Sequence, residues 1–374
     1  MRVLITGGAG FIGSHLAERF LTEGYRVRVL DNLDSRVHPV GTPVYFPAGV
    51  EFVRGDVTDR SCLEHALQDV DVVSHQAAYQ DYMFDFSKFF HVNTVSTALL
   101  YEIAVARRLP IKKIIIASSQ AVYGEGQYLC STHGMVLALP RKTEQLSRGD
   151  WEPHCPTCGR SVSPLLLKEQ DPNPFNPYGV SKYSEERAAL GLGWLHGIPT
   201  TILRYSITQG RRQSLYNHYS GICRIFVSRA LTNNPLIVYE DGMQTRDFVH
   251  VDDVVEANMA VLRRHEADFE AYNVGSGVAT TVMDYARTVE AKLGRELPFC
   301  VPGQYRLGDN RHSVSSIEKL KKLGWAPKND LERILDDFLA WVETIGGIPK
   351  RIHDAYGDMR RVGVVLTTCA NAVT

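Results

Sequence analysis

The sequence predicts an α/β protein built on a doubly wound, parallel sheet, followed by a smaller C-terminal α/β lobe. Three observations predict it. Short β-branched runs alternate with helical stretches through the first third of the chain, the pattern of successive βαβ units. A glycine-rich turn joins the first strand to the first helix. The alternation breaks near Gly126, resumes near Pro177 and continues as a mixture of helices and short strands.

The expected strands of the first half are Arg2–Thr6, 26–30, Glu51–Arg54, 71–74 and 112–117, with helices over Phe11–Thr22, 61–67 and 87–107. A segment of about 40 residues, 126–168, reads as irregular and rich in Pro, Gly and Ser, a length that calls for some staple. A helix over Pro177–His196 and a strand over 200–204 restore the alternation. Helices at 219–231, 251–264, 281–293 and Leu331–Thr344, with strands at 236–239 and 271–274, form the expected second lobe. The boundaries are 1–205 for the sheet domain, interrupted by 126–168, and 206–345 for the substrate lobe. The tail 346–374 offers no clear element.

A chain of 374 residues suffices for one large or two modest domains. Apolar residues at 44% and charged residues at 22% argue against global disorder. A formal net charge of −1 gives no electrostatic reason to expect nucleic acid or an anionic membrane as partner. No uncharged apolar run approaches the roughly 20 residues of a spanning helix. The opening "MRVLITGGAG" lacks the layout of a signal peptide, so a cytoplasmic location is expected. Seven cysteines, an odd number, argue against a disulfide framework.

The stretch "VLITGGAGFIGSH" is a strand, a tight turn and a helix start. Gly8-x-Gly10-x-x-Gly13 and Gly7-x-x-Gly10-x-x-Gly13 both fit a dinucleotide fingerprint. A Cβ in that turn would block the backbone from a pyrophosphate, and the helix start offers free N–H groups and the positive end of its dipole. The second strand ends at Asp31, eighteen positions after Gly13. A carboxylate there accepts from a ribose 2′-OH and repels a 2′-phosphate, which favours NAD over NADP. Asp56 follows the third strand, where it can meet the adenine or cap a helix.

"NPYGVSKYSEE" places Tyr178 and Lys182 at i and i+4, on one helix face. A neighbouring ammonium favours phenolate and lowers the tyrosine pKa. "IIIASSQAVYGEG" brings Ser118 and Ser119 to a strand's C-terminal end, where open α/β sheets bind ligands.

Together "TGGAGFIGSH", "GDVTD", "HQAA", "HVNTVST", "SSQAVYG", "YGVSK", "RDFVHVDDVV" and "YRLGDNRH" make the chain resemble the extended short-chain dehydrogenase/reductases, with their Rossmann-type sheet, and among them the nucleotide-sugar epimerases and dehydratases. The resemblance spans residues 1 to about 345. It implies NAD contacts at Gly7, Gly10, Phe11, Ile12, Gly13, Asp31, Asn32, Asp56, Val57, Gln76, Ala77, Ala78 and Asn93, together with Tyr178 and Lys182. It makes Tyr178 the base and acid, Lys182 its partner on the nicotinamide ribose, and Ser119 the hydroxyl beside the sugar O4. Substrate contacts fall on Ser119, Gln120, Tyr178, Arg246 and Arg306, the arginines gripping a diphosphate. A homodimer through helices 87–107 and Pro177–His196 is also implied.

The family's 4,6-dehydratases carry an Asp-Glu pair after the catalytic hydroxyl residue; here Gln120 and Ala121 stand there. Neither can donate and recover a proton at neutral pH. The implied reaction is C4 oxidation and return of hydride to the opposite face, a 4-epimerisation. A 4-ketosugar reductase and a UDP-uronate decarboxylase are the alternatives. Ile207 replaces the usual asparagine in "LRYSI", and "YQDYMFDF" replaces smaller residues, so the sugar pocket departs from the family pattern. Cys130-x-x-His133 and Cys155-x-x-Cys158, with 21 residues between His133 and Cys155, have the spacing of a zinc-ribbon-like site with a Cys₃His ligand set. His154 is an alternative to His133, and a Cys155–Cys158 disulfide is an alternative to metal. "SRGDWEPHCPTCGR" resembles a subgroup that includes dTDP-L-rhamnose 4-epimerases, which points first to a dTDP-deoxysugar and next to a UDP-hexose or UDP-hexuronate.

Overall fold

The computed structural model describes residues 1–39, 41–43, 45–82, 84–217, 221–348 and 355–369. Seven parallel strands form its main sheet: β1 Arg2–Thr6, β2 Arg26–Asp31, β3 Glu51–Arg54, β4 Val72–His75, β5 Lys113–Ser119, β6 Thr200–Tyr205 and β7 Glu270–Val274. Their order is β7-β6-β5-β4-β1-β2-β3. The chain therefore reverses direction between β1 and β4, and a crevice opens beyond the strands' C-terminal ends at that point. Alternation along the strands sets the two faces. Leu4, Leu30, Val73 and Ile114 pack on one side; Val3, Ile5, Val27 and Val29 pack on the other.

Helix α1, Phe11–Thr22, buries Leu16 and Phe20 on the second face. The first face is covered by α2, Phe86–Ala106, and α3, Pro177–His196, through Leu100, Tyr101 and Ala189. Within α2 the six residues Phe90–Val95 form a wider π turn. By length and composition alone α2 would pass for a helix able to cross a membrane, although Lys88 and Glu102 interrupt its apolar run. Here it is a packed helix of the domain, with Asn93, Ser96 and Thr97 buried and hydrogen-bonded to protein. Pro177 at the first turn and an Asn176 cap accepting from the Gly179 N–H at 2.7 Å start α3; left-handed Gly197 ends it.

Four expectations change. The sequence places the strand near 271–274 in the second lobe, but β7 pairs with β6 as an edge of the main sheet. Helix α5, Val251–Leu262, likewise joins α1 on the sheet through Val255 and Met259. The chain thus returns to the first domain after residue 205, because a short strand with buried Tyr272 and Val274 and an amphipathic helix find an open sheet edge and face there. The segment 126–168 is not irregular. Gln127–Cys130 pairs antiparallel with Gly134–Leu137 and with Ser163–Pro164, over a small core of Tyr128, Cys130, Ala138, Cys155 and Val162. The tail also has structure: a helix, Ala355–Arg361, and a strand, Val365–Thr367, antiparallel to Gln304–Arg306.

The rest of the C-terminal half forms its own core. Helix α4, Gly221–Leu231, with Val282–Leu293 and Leu331–Thr344, encloses Phe226, Tyr285, Phe338 and Val342. The expected start of α4 at residue 219 lies outside the described residues.

Candidate active site

One cavity of about 1150 Å³ runs from the glycine turn to the second lobe. At its sheet end Gly7 has φ of +65°. A Cβ on Gly7 would lie 2.8 Å from the Ala77 Cα, and one on Gly13 would lie 2.4 Å from the Gly7 carbonyl oxygen. The turn therefore closes only with glycine. No side chain caps the start of α1, which leaves its first N–H groups to a ligand. Gly7, Gly10, Phe11, Ile12, Gly13, Asp31, Asn32, Asp56, Val57, Gln76, Ala77 and Ala78 all line this end.

The Asp31 carboxylate accepts from the Ala9 N–H at 3.0 Å and the Leu33 N–H at 2.8 Å, which holds it at the cavity wall. Asn32 donates to Asp56 at 2.8 Å. Asp56 does not cap the next helix; Asp59 does. Arg36, a cation in this corner, is paired with Asp34 at 2.7 Å and Asp81 at 3.0 Å and so is not offered to a 2′-phosphate. The residues fit NAD: a tight turn for pyrophosphate, a helix N-terminus, and a carboxylate for the ribose.

Across the crevice, Ser119 ends β5 and caps a short 3₁₀ turn, accepting from the Ala121 N–H at 3.1 Å. The Tyr178 hydroxyl lies on the same stretch of the cavity as Ser119, near enough for Ser119 to ease its ionisation. Gly179 makes this closeness possible, since a Cβ there would sit 2.4 Å from the Ala121 carbonyl oxygen. Ser118 turns inward instead, onto Glu186, which chelates Arg204 at 2.9 and 2.7 Å. Gln120 lines the cavity, and its Oε1 is buried with no hydrogen-bond partner among the described residues.

Lys182 lies one turn along α3 from Tyr178 and lines the cavity. Its ammonium is paired with Glu185, whose side chain is fully buried. Glu185 also accepts from Thr97 at 3.2 Å and lies 4.0 Å from His75. Burial pushes the Glu185 carboxyl up to about 7, against the pull of Lys182, and holds His75 down to about 3. The Tyr178 phenol is raised by burial, partly offset by Ser119. This corrects the expectation that Lys182 lowers it: burial dominates, and the ammonium faces Glu185. Glu185 and His75 were not singled out in the sequence. "SEE" after "YGVSK" hinted at a carboxylate, but only the packing of α2 on α3 buries it.

Asn93 does not line the cavity. Its amide accepts from the Tyr79 N–H at 2.7 Å and donates to the Tyr79 carbonyl at 3.1 Å and the Ser181 hydroxyl at 2.9 Å. It ties the loop after β4 to α3, so any influence on a cofactor passes through those neighbours.

In the second lobe Arg246 and Arg306 line the same cavity. Arg246 donates to the Asn310 and Arg311 carbonyls at 2.9 and 3.0 Å. Arg306 pairs with Asp309 at 2.8 Å and stacks on Tyr82 and Tyr239.

In the insertion, Cys130, His133, Cys155 and Cys158 bring one ligand atom each within 4.8 Å of the others. Cys130 Sγ lies 3.7 Å from both His133 Nδ1 and Cys158 Sγ, and Cys155 Sγ lies 3.5 Å from His133 Nδ1. Zn–S and Zn–N bonds of about 2.3 and 2.0 Å give tetrahedral edges of roughly 3.5–3.8 Å, so the set fits zinc. The cysteines are free thiols. The alternative ligand His154 instead hydrogen-bonds Asp150 at 2.9 Å and the Gly159 carbonyl at 3.0 Å.

A glycine turn at the reversal point of a doubly wound sheet, facing a Ser–Tyr–Lys set across one crevice, marks the extended short-chain dehydrogenase/reductase class. Within that class the chain belongs to the NAD dependent epimerase/dehydratase family, whose model matches residues 3–143 and 159–275. It is 34% identical to a dTDP-L-rhamnose 4-epimerase of Burkholderia thailandensis over 91% of this chain and 94% of that protein. The solved UDP-glucose 4-epimerase of Thermotoga maritima, with UDP-glucose, is 28% identical with a TM-score of 0.75, covering 92% of this chain and 99% of that one. The Thermus thermophilus UDP-glucose 4-epimerase, in complex with NAD, is 30% identical with a TM-score of 0.71, covering 92% and 99%.

Proposed function

We propose that the protein is an NAD-dependent nucleotide-sugar 4-epimerase. The observation that carries this reading is the convergence of Ser119, Tyr178 and, one turn away, Lys182 on the same cavity as the glycine turn and Asp31. Bound NAD supplies the acceptor for the C4 hydride and then its donor. Ser119 orients the sugar 4-hydroxyl, Tyr178 takes its proton and later returns it, and Lys182 holds the nicotinamide ribose. Arg246 and Arg306 offer donors to the diphosphate, leaving the sugar end to turn over in the pocket. Gln120 and Ala121 hold no acid–base pair for loss of water, which sets the chain apart from a 4,6-dehydratase. Asp31 weighs against an NADPH-consuming reductase.

The substrate is a dTDP- or UDP-linked sugar, the former favoured by the insertion's motif. The Cys130, His133, Cys155 and Cys158 set would hold one structural zinc, which shapes the insertion and takes no part in hydride transfer. A homodimer through α2 and α3 is supported by Phe86, Val95, Trp194 and Leu195, large apolar side chains exposed on those helices. The reading includes neither membrane nor nucleic acid as partner and places the enzyme in the cytoplasm.

The test is incubation of the NAD-loaded protein with dTDP- and UDP-sugars deuterated at C4. The expected product is a C4 epimer that retains the label, with no accumulation of NADH. Stable 4-keto product, release of CO₂, or dependence on added reduced cofactor would each overturn the reading.

A further inference from the structure

Helix α4 carries a guanidinium that the site described so far does not use. Arg224 lines the cavity and is 3% exposed. Its only hydrogen bond among the described residues is a long one, 3.3 Å, from Nη1 to the Leu215 carbonyl. Its Nε has no partner, and no carboxylate pairs with it among the described residues. Burial alone lowers its pKa to about 10, with no opposing acid. One turn further along, Ser228 also lines the cavity, is 8% exposed, and has an Oγ without partner. Residues at i and i+4 share a helix face, so the two orphaned donors stand together.

Other buried arginines of this protein are treated differently. Arg204 is chelated by Glu186, and Arg311 is ringed by Glu152, Glu240 and Asp241. A buried, unpaired charge is strongly unfavourable unless something supplies its counter-charge. A neutral carbonyl on a nucleobase would satisfy a hydrogen bond but leave the charge. A phosphate group satisfies both, and it matches the planar fork of arginine.

We infer that Arg224 and Ser228 form a phosphate-binding pair for the nucleoside diphosphate of the substrate, additional to Arg246 and Arg306. The inference rests on the nucleotide-sugar reading above. It assigns part of the binding energy to α4, the helix that covers the second lobe's side of the cavity.

The experiment measures binding of dTDP, UDP, thymidine and uridine to the NAD-loaded wild type, Arg224→Met and Arg224→Lys. Arg224→Met should weaken the diphosphates roughly 10- to 100-fold, the range of hydrogen bonds to charged groups, and leave the nucleosides and NAD unchanged. Arg224→Lys, which keeps the charge and loses the fork, should fall between. Without ligand, Arg224→Met should melt at or above the wild-type temperature, because an unpaired buried charge has gone. Unchanged diphosphate affinity, or an equal loss for the nucleosides, would overturn the inference. So would a variant that melts lower or fails to fold, which would mark a structural arginine. Wild-type protein that binds neither dTDP nor UDP would instead sink the nucleotide-sugar reading itself.

Discussion

Tyr178 and Lys182 look like a self-contained pair in the sequence, yet the folded protein inserts a third group. Glu185 holds the lysine from the buried side, and burial raises the phenol. Tyr178→Phe keeps the ring and removes the titrating group. It is expected to lower kcat by two to four orders of magnitude, roughly the size of a general acid–base contribution, with nucleotide binding within a few-fold of wild type. Turnover near the wild-type rate would place the base elsewhere. Asp31 makes a separate statement at this scale. Its carboxylate is fixed by two backbone N–H groups, and nearby Arg36 is committed to acids. NAD is therefore expected to bind at least tenfold more tightly than NADP, read by titrating each into cofactor-free protein; equal affinities would remove this argument.

The insertion is the element with most to explain. Its two Cys/His turns converge within bonding distance of one ion, and its other end is built into the second lobe. Arg141 donates to Glu240 at 3.0 Å and to the Asp309 carbonyl at 2.8 Å. Glu152 pairs with Arg311 and His312. Asp309 in turn holds Arg306. The insertion thus braces the loop that carries a candidate diphosphate ligand, while its Leu167 packs on Val122 and Tyr123 after the Ser119 turn. Purified, reduced protein is expected to carry close to one zinc per chain by elemental analysis. Cys155→Ser should lose that zinc and raise KM for the nucleotide sugar several-fold, while NAD affinity holds. Protein without zinc would count against an occupied site, and lost NAD binding would mean that the insertion supports the sheet as well.

Over the whole molecule, buried titrating groups set how stability depends on pH. Burial holds His15 at about 4 and His75 at about 3, below the free value near 6.5. The unfolded chain takes up their protons first as pH falls, so stability is lost from pH 6.5 downward, by up to roughly 1.4 kcal/mol per pH unit for each histidine. Glu185 acts in the opposite sense. Its carboxyl is raised to about 7, the folded state binds its proton first, and stability is lost as pH rises from about 4.5 toward 7. Urea midpoints between pH 7 and 5 should therefore fall modestly in the wild type and more steeply in Glu185→Gln. Equal slopes would show that Glu185 keeps its charge in the fold.

Much of this was legible before folding, where chemistry is local. The strand–glycine–helix turn, the Asp31 strand end, and the Tyr178–Lys182 spacing depend on neighbours a few residues apart, and backbone geometry alone puts them in register. The paired Cys/His turns were legible for the same reason, since each is a closed local loop. What depended on the third dimension were meetings between distant segments. The β7 edge strand, the insertion's small sheet and the tail strand on Gln304–Arg306 read as lobe, loop and tail because a short strand is stabilised by its partner, and the partner lies far along the chain. Glu185 beneath Lys182 and the unpaired Arg224 were invisible for a related reason. Whether a charge is buried, and whether an opposite charge reaches it, is decided by which helices pack together, and no spacing along the chain records that.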